Sequence, residues 1–137
     1  KIAMATSGFQ GMPGQKYPGL FLFYAMPARG HTNQECEQAI YAEIERLRSE
    51  PVTEQELEKA KTRARAALIR QLDSNSGLAE LLTFYEVLTG DWRNLFKQLE
   101  QIDRVTAEDV QRVARTYFTT KNRTVGIIET TISESES

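Results

Sequence analysis

Histidine and cysteine occur once each in this 137-residue chain, as His31 and Cys36. A single cysteine excludes an internal disulfide framework and leaves the redox compartment unread. A single histidine cannot form the one-turn histidine pair of a helical zinc site, and no cysteine pair stands in for it. An excess of charge of either sign is also missing: 17 Lys and Arg oppose 19 Asp and Glu, a net charge of -2. That balance gives no electrostatic case for nucleic acid as the main partner. The longest apolar run, residues 20–26, is strand-sized and lies between Pro18-Gly19 and Pro27; a membrane-spanning helix needs about 20 such residues. The chain opens on Lys1-Ile2-Ala3-Met4-Ala5-Thr6 without initiator methionine or signal peptide, so it is expected to be cut from, or to end, a larger protein whose targeting information lies elsewhere.

What is present is the composition of one soluble globular domain, 40% hydrophobic and 26% charged. Residues 1–6 and 19–26 predict two strands, joined by a glycine- and proline-rich loop over 7–18. The second run is apolar on successive residues, which suits a strand buried on both faces, or one with helices on one side and a partner domain on the other. Helices follow. Thr32-Asn33-Gln34-Glu35 and Thr53-Glu54-Gln55-Glu56 are capping boxes. The first opens a helix with Cys36, Ala39, Ile40, Ile44 and Leu47 inward. The second opens one running to Leu72 with Leu57, Ala60, Ala64, Ala67 and Leu68 packed. Residues 73–77 break the pattern before a helix carrying Leu78, Leu81, Leu82 and Tyr85. Gly90 fits the left-handed position past its end, and Asp91 fits the cap of the next helix, which presents Trp92, Leu95, Phe96, Leu99 and Ile102. Thr106 caps a last helix with Val110, Val113, Ala114, Tyr117 and Phe118 on one face, and 124–128 has the β-branched composition of a third strand. The sum is α+β, with helices on one face of a small, mostly antiparallel sheet. Residues 1–130 form the single domain fragment, and the polar tail 131–137 is expected to be disordered.

The closing pattern Val105-Thr106-Ala107-Glu108-Asp109-Val110 through Tyr117-Phe118 and Asn122-Arg123-Thr124-Val125-Gly126-Ile127-Ile128-Glu129 resembles the last helix and strand of domains in the pitrilysin/insulinase family of zinc metallopeptidases, which includes the mitochondrial processing peptidase. Pro51-Val52-Thr53-Glu54-Gln55-Glu56-Leu57-Glu58-Lys59-Ala60-Lys61 resembles the start of that family's long helix. Leu88-Thr89-Gly90-Asp91-Trp92-Arg93 resembles a junction in its bacterial members. The order and spacing of the three stretches carry the likeness, from about residue 1 to 129.

The resemblance implies the later part of a zinc-free, carboxy-terminal domain. Peptidases of this family close two homologous halves around a chamber; H-x-x-E-H in one half holds zinc and activates water. The other half grips substrate with an arginine and a tyrosine. Here Met4 stands where the tyrosine would be, and the arginine would precede Lys1, so no catalytic, cofactor-binding or metal-binding residue is assigned. The implied function is to close the chamber and hold extended peptide for hydrolysis by the partner half. The alternative is a non-enzymatic assembly subunit of the same ancestry. The implied partners are the homologous zinc-bearing half, on the same chain or another, and a peptide substrate, with dimerisation of the segment left open; zinc is expected in the partner half only. Resemblance to exported bacterial members implies periplasm or cell envelope.

The remaining candidates have plain structural readings. His31 fits a turn residue. Cys36 fits a small buried thiol. The loop 8–19 lacks the Lys-Ser/Thr ending and following helix of a phosphate loop. Lys59, Lys61, Arg63, Arg65 and Arg70 follow Glu54, Glu56 and Glu58 on one helix, the order that complements a helix dipole and supplies i, i+4 pairs. Phe21, Phe23, Tyr24, Tyr17 and Trp92 fit core burial ahead of a stacking platform.

Overall fold

The computed structural model describes residues 1–12 and 14–129. The predicted tail 131–137 lies outside them. Strands β1 (Ala3–Met12) and β2 (Leu20–Pro27) form an antiparallel hairpin. Five helices follow: α1 (Asn33–Ser49), α2 (Glu54–Leu72), α3 (Asn75–Thr89), α4 (Asn94–Arg104) and α5 (Ala107–Tyr117). The architecture is α+β, with helices set against a small antiparallel sheet.

The hairpin is longer than its sequence suggests, because β1 continues through Gly8 and Gly11 where a loop was expected. Glycine weakens a strand unless something uses the missing side chain. At Gly8 a Cβ would stand 3.5 Å from the Phe23 ring and 3.7 Å from Phe21, so the two aromatic rings pack beside the glycine. Gly11 has φ +90° at the register shift between Gln10 and Met12, a bulge position for which a glycine is suited.

Three helices begin on complete capping boxes. Thr32 accepts from the Glu35 amide, Thr53 from Glu56 and Thr106 from Asp109, each at 3.2 Å, while each acid accepts from the cap amide in return. The Thr32 amide holds the Glu35 carboxyl below its ordinary 4.5, and the Thr53 amide does the same for Glu56. Asp109 is lowered from 3.8 by the Arg112 guanidinium first and the Thr106 amide second. A depressed carboxylate stabilises the fold above its unfolded pKa, and that contribution is lost as pH falls through the lower folded value. Helical stability, followed by urea melts between pH 6 and pH 3, is therefore expected to hold above about 4.5 and fall below it; a flat profile would contradict this account of the caps. Thr53→Ala or Thr106→Ala is expected to cost about 1 kcal/mol at neutral pH in the same melts.

Two small cores result. Cys36 of α1 and Ala114 of α5 are buried where these helices meet beside β2, and Phe118 closes against Phe21 and Phe23 with ring centroids 5.1 and 5.3 Å apart. Leu81 of α3 and Leu95 of α4 are buried among α2, α3 and α4. On α5 the packed face is narrower than the sequence suggests, for Val113 and Tyr117 are exposed. On α2 it is rotated: Ala60, Ala64 and Ala67 are exposed. Lys61 and Arg65 instead turn inward, with Lys61 Nζ donating to the Asp103 carbonyl at 3.0 Å and the Arg65 guanidinium gripping the Asp103 carboxylate. Two cations at the end of α4 also complement its dipole, which outweighs the weak pull of an alanine stripe.

Residues 124–128 form no ladder with β1 or β2. Strand composition makes a strand only where an edge is within reach. Here the segment is tied to α1: Arg123 stacks over the Tyr41 ring at 4.2 Å, and Asn33 Nδ2 donates to the Ile128 carbonyl at 3.1 Å.

Candidate functional site

The hairpin register fixes which side chains share a face. Gly8 lies opposite Phe23, Gln10 opposite Phe21 and Thr6 opposite Ala25; this face turns toward α1 and Phe118. The pleat sends Leu22, Tyr24 and Met26 the other way, with Ala5, Ser7 and Phe9 opposite them on β1. Side chains of that second face are open to solvent, Phe9 43% exposed, Tyr24 44% and Met26 38%; Phe21 at 47% and Phe23 at 39% are as exposed on the first face, although Phe118 meets both. The second face is an apolar surface with two hydroxyl groups, Ser7 and Tyr24, side by side across the strands. The expected burial of Tyr24 and Tyr17 in a core is not found, since both are exposed, and a two-stranded sheet with helices on one side has nothing to bury them against.

Met4 lies in β1 at the register shift between Ala3 and Ala5, with its thioether exposed. A thioether donates no hydrogen bond, so the position cannot grip a carbonyl as a phenol would.

His31 sits in the turn between β2 and α1. Its amide donates to the Ala28 carbonyl at 3.0 Å, and its Nδ1 lies 3.2 Å from the Glu35 carboxylate that closes the capping box. Among the described residues no group of three His, Cys, Asp or Glu side chains converges as metal ligands would. Cys36 is buried with its thiol directed at the Ile2 carbonyl, 3.7 Å away, a contact that pins the start of β1 to α1. Within the basic stretch Lys61 also meets Glu58 at 3.2 Å.

Sequence reasoning missed a second surface, at the corner between α3 and α4. Gly90 takes φ +73° just past α3, as expected. Asp91, however, caps only a preliminary turn, accepting from the Arg93 amide at 2.9 Å, and α4 itself begins at Asn94. Trp92 is consequently outside the core. Its amide is held by the Glu86 carboxylate at 3.0 Å, and the Arg93 guanidinium stands 4.7 Å from its ring. Trp92, Val87 and Leu82 line an open cleft there, with Phe96 edge-on to Trp92 at 6.1 Å. The signal available in the sequence was the Gly-Asp-Trp spacing, which leaves one turn between the α3 cap and the first packed residue, Leu95.

A helix layer packed on a two-stranded antiparallel hairpin is the architecture of this chain. Residues 5–64 match the family model described as the Peptidase M16 inactive domain. The inactive peptidase domain of a candidate zinc protease from Bordetella parapertussis superposes with a TM-score of 0.79 at 29% identity, over 98% of this chain and 72% of that one. A candidate zinc protease from Bordetella pertussis Tohama I superposes at 0.75 with 30% identity, over 94% of this chain and 70% of that chain. The zinc protease PqqE of Helicobacter pylori (strain ATCC 700392 / 26695) is 29% identical over 118 residues, which make up 86% of this chain and 26% of that protein. The chain belongs to the pitrilysin/insulinase (M16) family of zinc metallopeptidases and corresponds to its inactive domain. It spans about a quarter of the length of PqqE.

Proposed function

We propose that this domain closes the reaction chamber of a zinc metallopeptidase and helps hold extended peptide there, while a homologous half supplies the zinc and the hydrolytic water. The observation that carries this reading is the solvent-exposed second face of the hairpin, where Phe9, Tyr24 and Met26 offer an apolar floor and Ser7 and Tyr24 offer hydroxyl groups. An extended peptide presents alternating side chains and unpaired backbone groups, which such a floor accommodates without selecting one sequence. The chemistry belongs to the other half, where a bound zinc lowers the pKa of water and polarises the scissile carbonyl. What this chain contributes is binding and the exclusion of solvent.

A second reading, a structural subunit that has given up catalysis, is favoured by Met4, which leaves the place of the substrate-gripping tyrosine without a hydroxyl.

Tyr24→Glu in the parent peptidase separates the two. Tyr24 is exposed, so a carboxylate there is tolerated by the fold while charging the floor. The chamber reading expects kcat/KM for a quenched peptide to fall about tenfold, the cost of a poorly placed charge in a binding surface, with zinc content and Tm unchanged. Unaltered cleavage would remove the hairpin face from the chamber; a parent with no chelator-sensitive cleavage would favour the structural subunit.

A further inference from the structure

Charge is spread unevenly along the chain. Residues 1–34 hold three cations, Lys1, Lys16 and Arg29, and no Asp or Glu; all 19 acids come later, with the other 14 Lys and Arg. The first 34 residues therefore carry +3 and the remainder -5. The strands themselves are uncharged from Ala3 to Met12 and from Leu20 to Pro27, so the cations stand at the two ends of the hairpin. Lys16 lies in the connection between β1 and β2, while Lys1 and Arg29 flank the open end, where the Ala28 amide donates to the Ile2 carbonyl at 2.9 Å. None of the three enters an ion pair among the described residues. The acids that follow on α1 have other partners: Glu35 holds the Thr32 amide and the His31 ring, Glu37 the Tyr41 hydroxyl, and Glu43 and Glu45 the guanidinium groups of Arg46 and Arg48.

Each part of that pattern selects among peptides. A carboxylate or ammonium laid on the second face, among Phe9, Tyr24 and Met26, gives up water without gaining a charged partner. The face accordingly favours uncharged side chains, and it takes them in varied shapes, since the unbranched Met26 thioether adapts to what lies on it. The ends select by sign. A strand the length of β2 spans about 26 Å, about three Debye lengths at physiological salt, so the cation at the tip and those at the open end act separately. A carboxylate near either end is attracted, and an ammonium is repelled.

We infer that the peptide held on this hairpin is uncharged and apolar over its central residues and acidic at its flanks. The inference rests on the chamber reading and adds to it the class of peptide. An extended chain advances about 3.3 Å per residue, so a segment of about eight residues lays one flank at Lys16 and the other at Lys1 and Arg29. Alternate central side chains rest on the apolar floor, and Asp or Glu at the two flanks meets cations that have no partner of their own. Peptides with basic flanks are the class turned away.

Three quenched peptides test this on the parent protein. They share one apolar centre and carry Glu, Ser or Lys at both flanks, about eight residues apart. The expected order of kcat/KM is Glu above Ser above Lys, with about tenfold between the extremes at low salt and little difference at about 1 M salt, where charges are screened within about 3 Å. Lys16→Glu combined with Arg29→Glu is expected to invert the order. Both side chains are exposed, and Lys16→Gln combined with Arg29→Gln, which only removes charge, is expected to level it. Equal rates for the three peptides, or an order that the charge variants leave in place, would overturn the inference. Kd values of fluorescein-labelled copies of the three peptides, taken by anisotropy on the parent in the presence of chelator, read the same order without hydrolysis, so a parent that cleaves none of them still decides it. The chamber reading fails on a different result, unaltered cleavage of the Ser-flanked peptide by the Tyr24→Glu parent, so the two failures are distinguishable.

Discussion

Gly77→Ala destabilises the protein by about 2–3 kcal/mol, although the same change inside a helix ordinarily stabilises by about 1 kcal/mol. The reversal comes from where α3 begins. Gly77 is buried in the first turn of α3, its amide donating to the Ser74 hydroxyl at 3.0 Å. A Cβ at this position would fall 2.1 Å from the Gln71 carbonyl oxygen, 2.9 Å from the Ser74 hydroxyl and 3.1 Å from the Gln71 carbonyl carbon. Two of those three atoms are backbone in the last turn of α2, so no side-chain rotation relieves the clash; α2 and α3 must separate. The separation loosens the seat of Leu81, one turn further along α3. Urea or thermal melts read the effect, with a loss of about 10 °C in Tm expected for a domain of this size. Gly126→Ala is the control: nothing lies within 4 Å of its would-be Cβ, and it is expected to leave stability unchanged. If Gly77→Ala were neutral, the tight corner between α2 and α3 would not exist as described.

Leu95→Ala is the second large loss, about 3–4 kcal/mol, from a removed side chain and the cavity it leaves. Leu95 is 1% exposed and is the largest fully buried side chain among the described residues. It anchors α4 against α2 and α3, where little else is buried. Its neighbour Phe96 is larger and more apolar, yet it is 56% exposed, so Phe96→Ala is expected to cost well under 1 kcal/mol, much less than the transfer of a full aromatic side chain from the core. Equilibrium urea unfolding of the two variants side by side decides the matter, because hydrophobicity and burial rank them oppositely.

Three helix starts were plainly legible in the sequence, and that of α4 was not. Each depends on a few adjacent residues, and Thr32, Thr53 and Thr106 each cap as their local chemistry dictates, as Gly90 does at the end of α3. Long-range partnership was less legible. The glycines of 7–12 looked like a loop because the aromatics that pack beside Gly8 stand 13 and 15 residues away, at Phe21 and Phe23. The packed face of α2 was misplaced because Asp103, which draws Lys61 and Arg65 inward, is 42 and 38 residues distant. Residues 124–128 have a strand's composition without a strand's partner, and composition cannot tell whether an edge is available. The candidate site shows the same division. The likeness to an inactive peptidase domain rested on Thr53-Glu54-Gln55-Glu56, Gly90-Asp91-Trp92 and the closing helix. The exposed second face of β1 and β2 needed the register, because an all-apolar run does not say which of its residues share a face.

The central claim is that this domain binds and encloses while the zinc and the hydrolysis reside in a partner half. Zinc stoichiometry, measured together with chelator-sensitive cleavage of a quenched peptide on the chain alone and on the parent protein, tests it most directly. The account predicts stoichiometric zinc and cleavage in the parent, and neither in the chain. Stoichiometric zinc with chelator-sensitive cleavage in the 137 residues alone would contradict it.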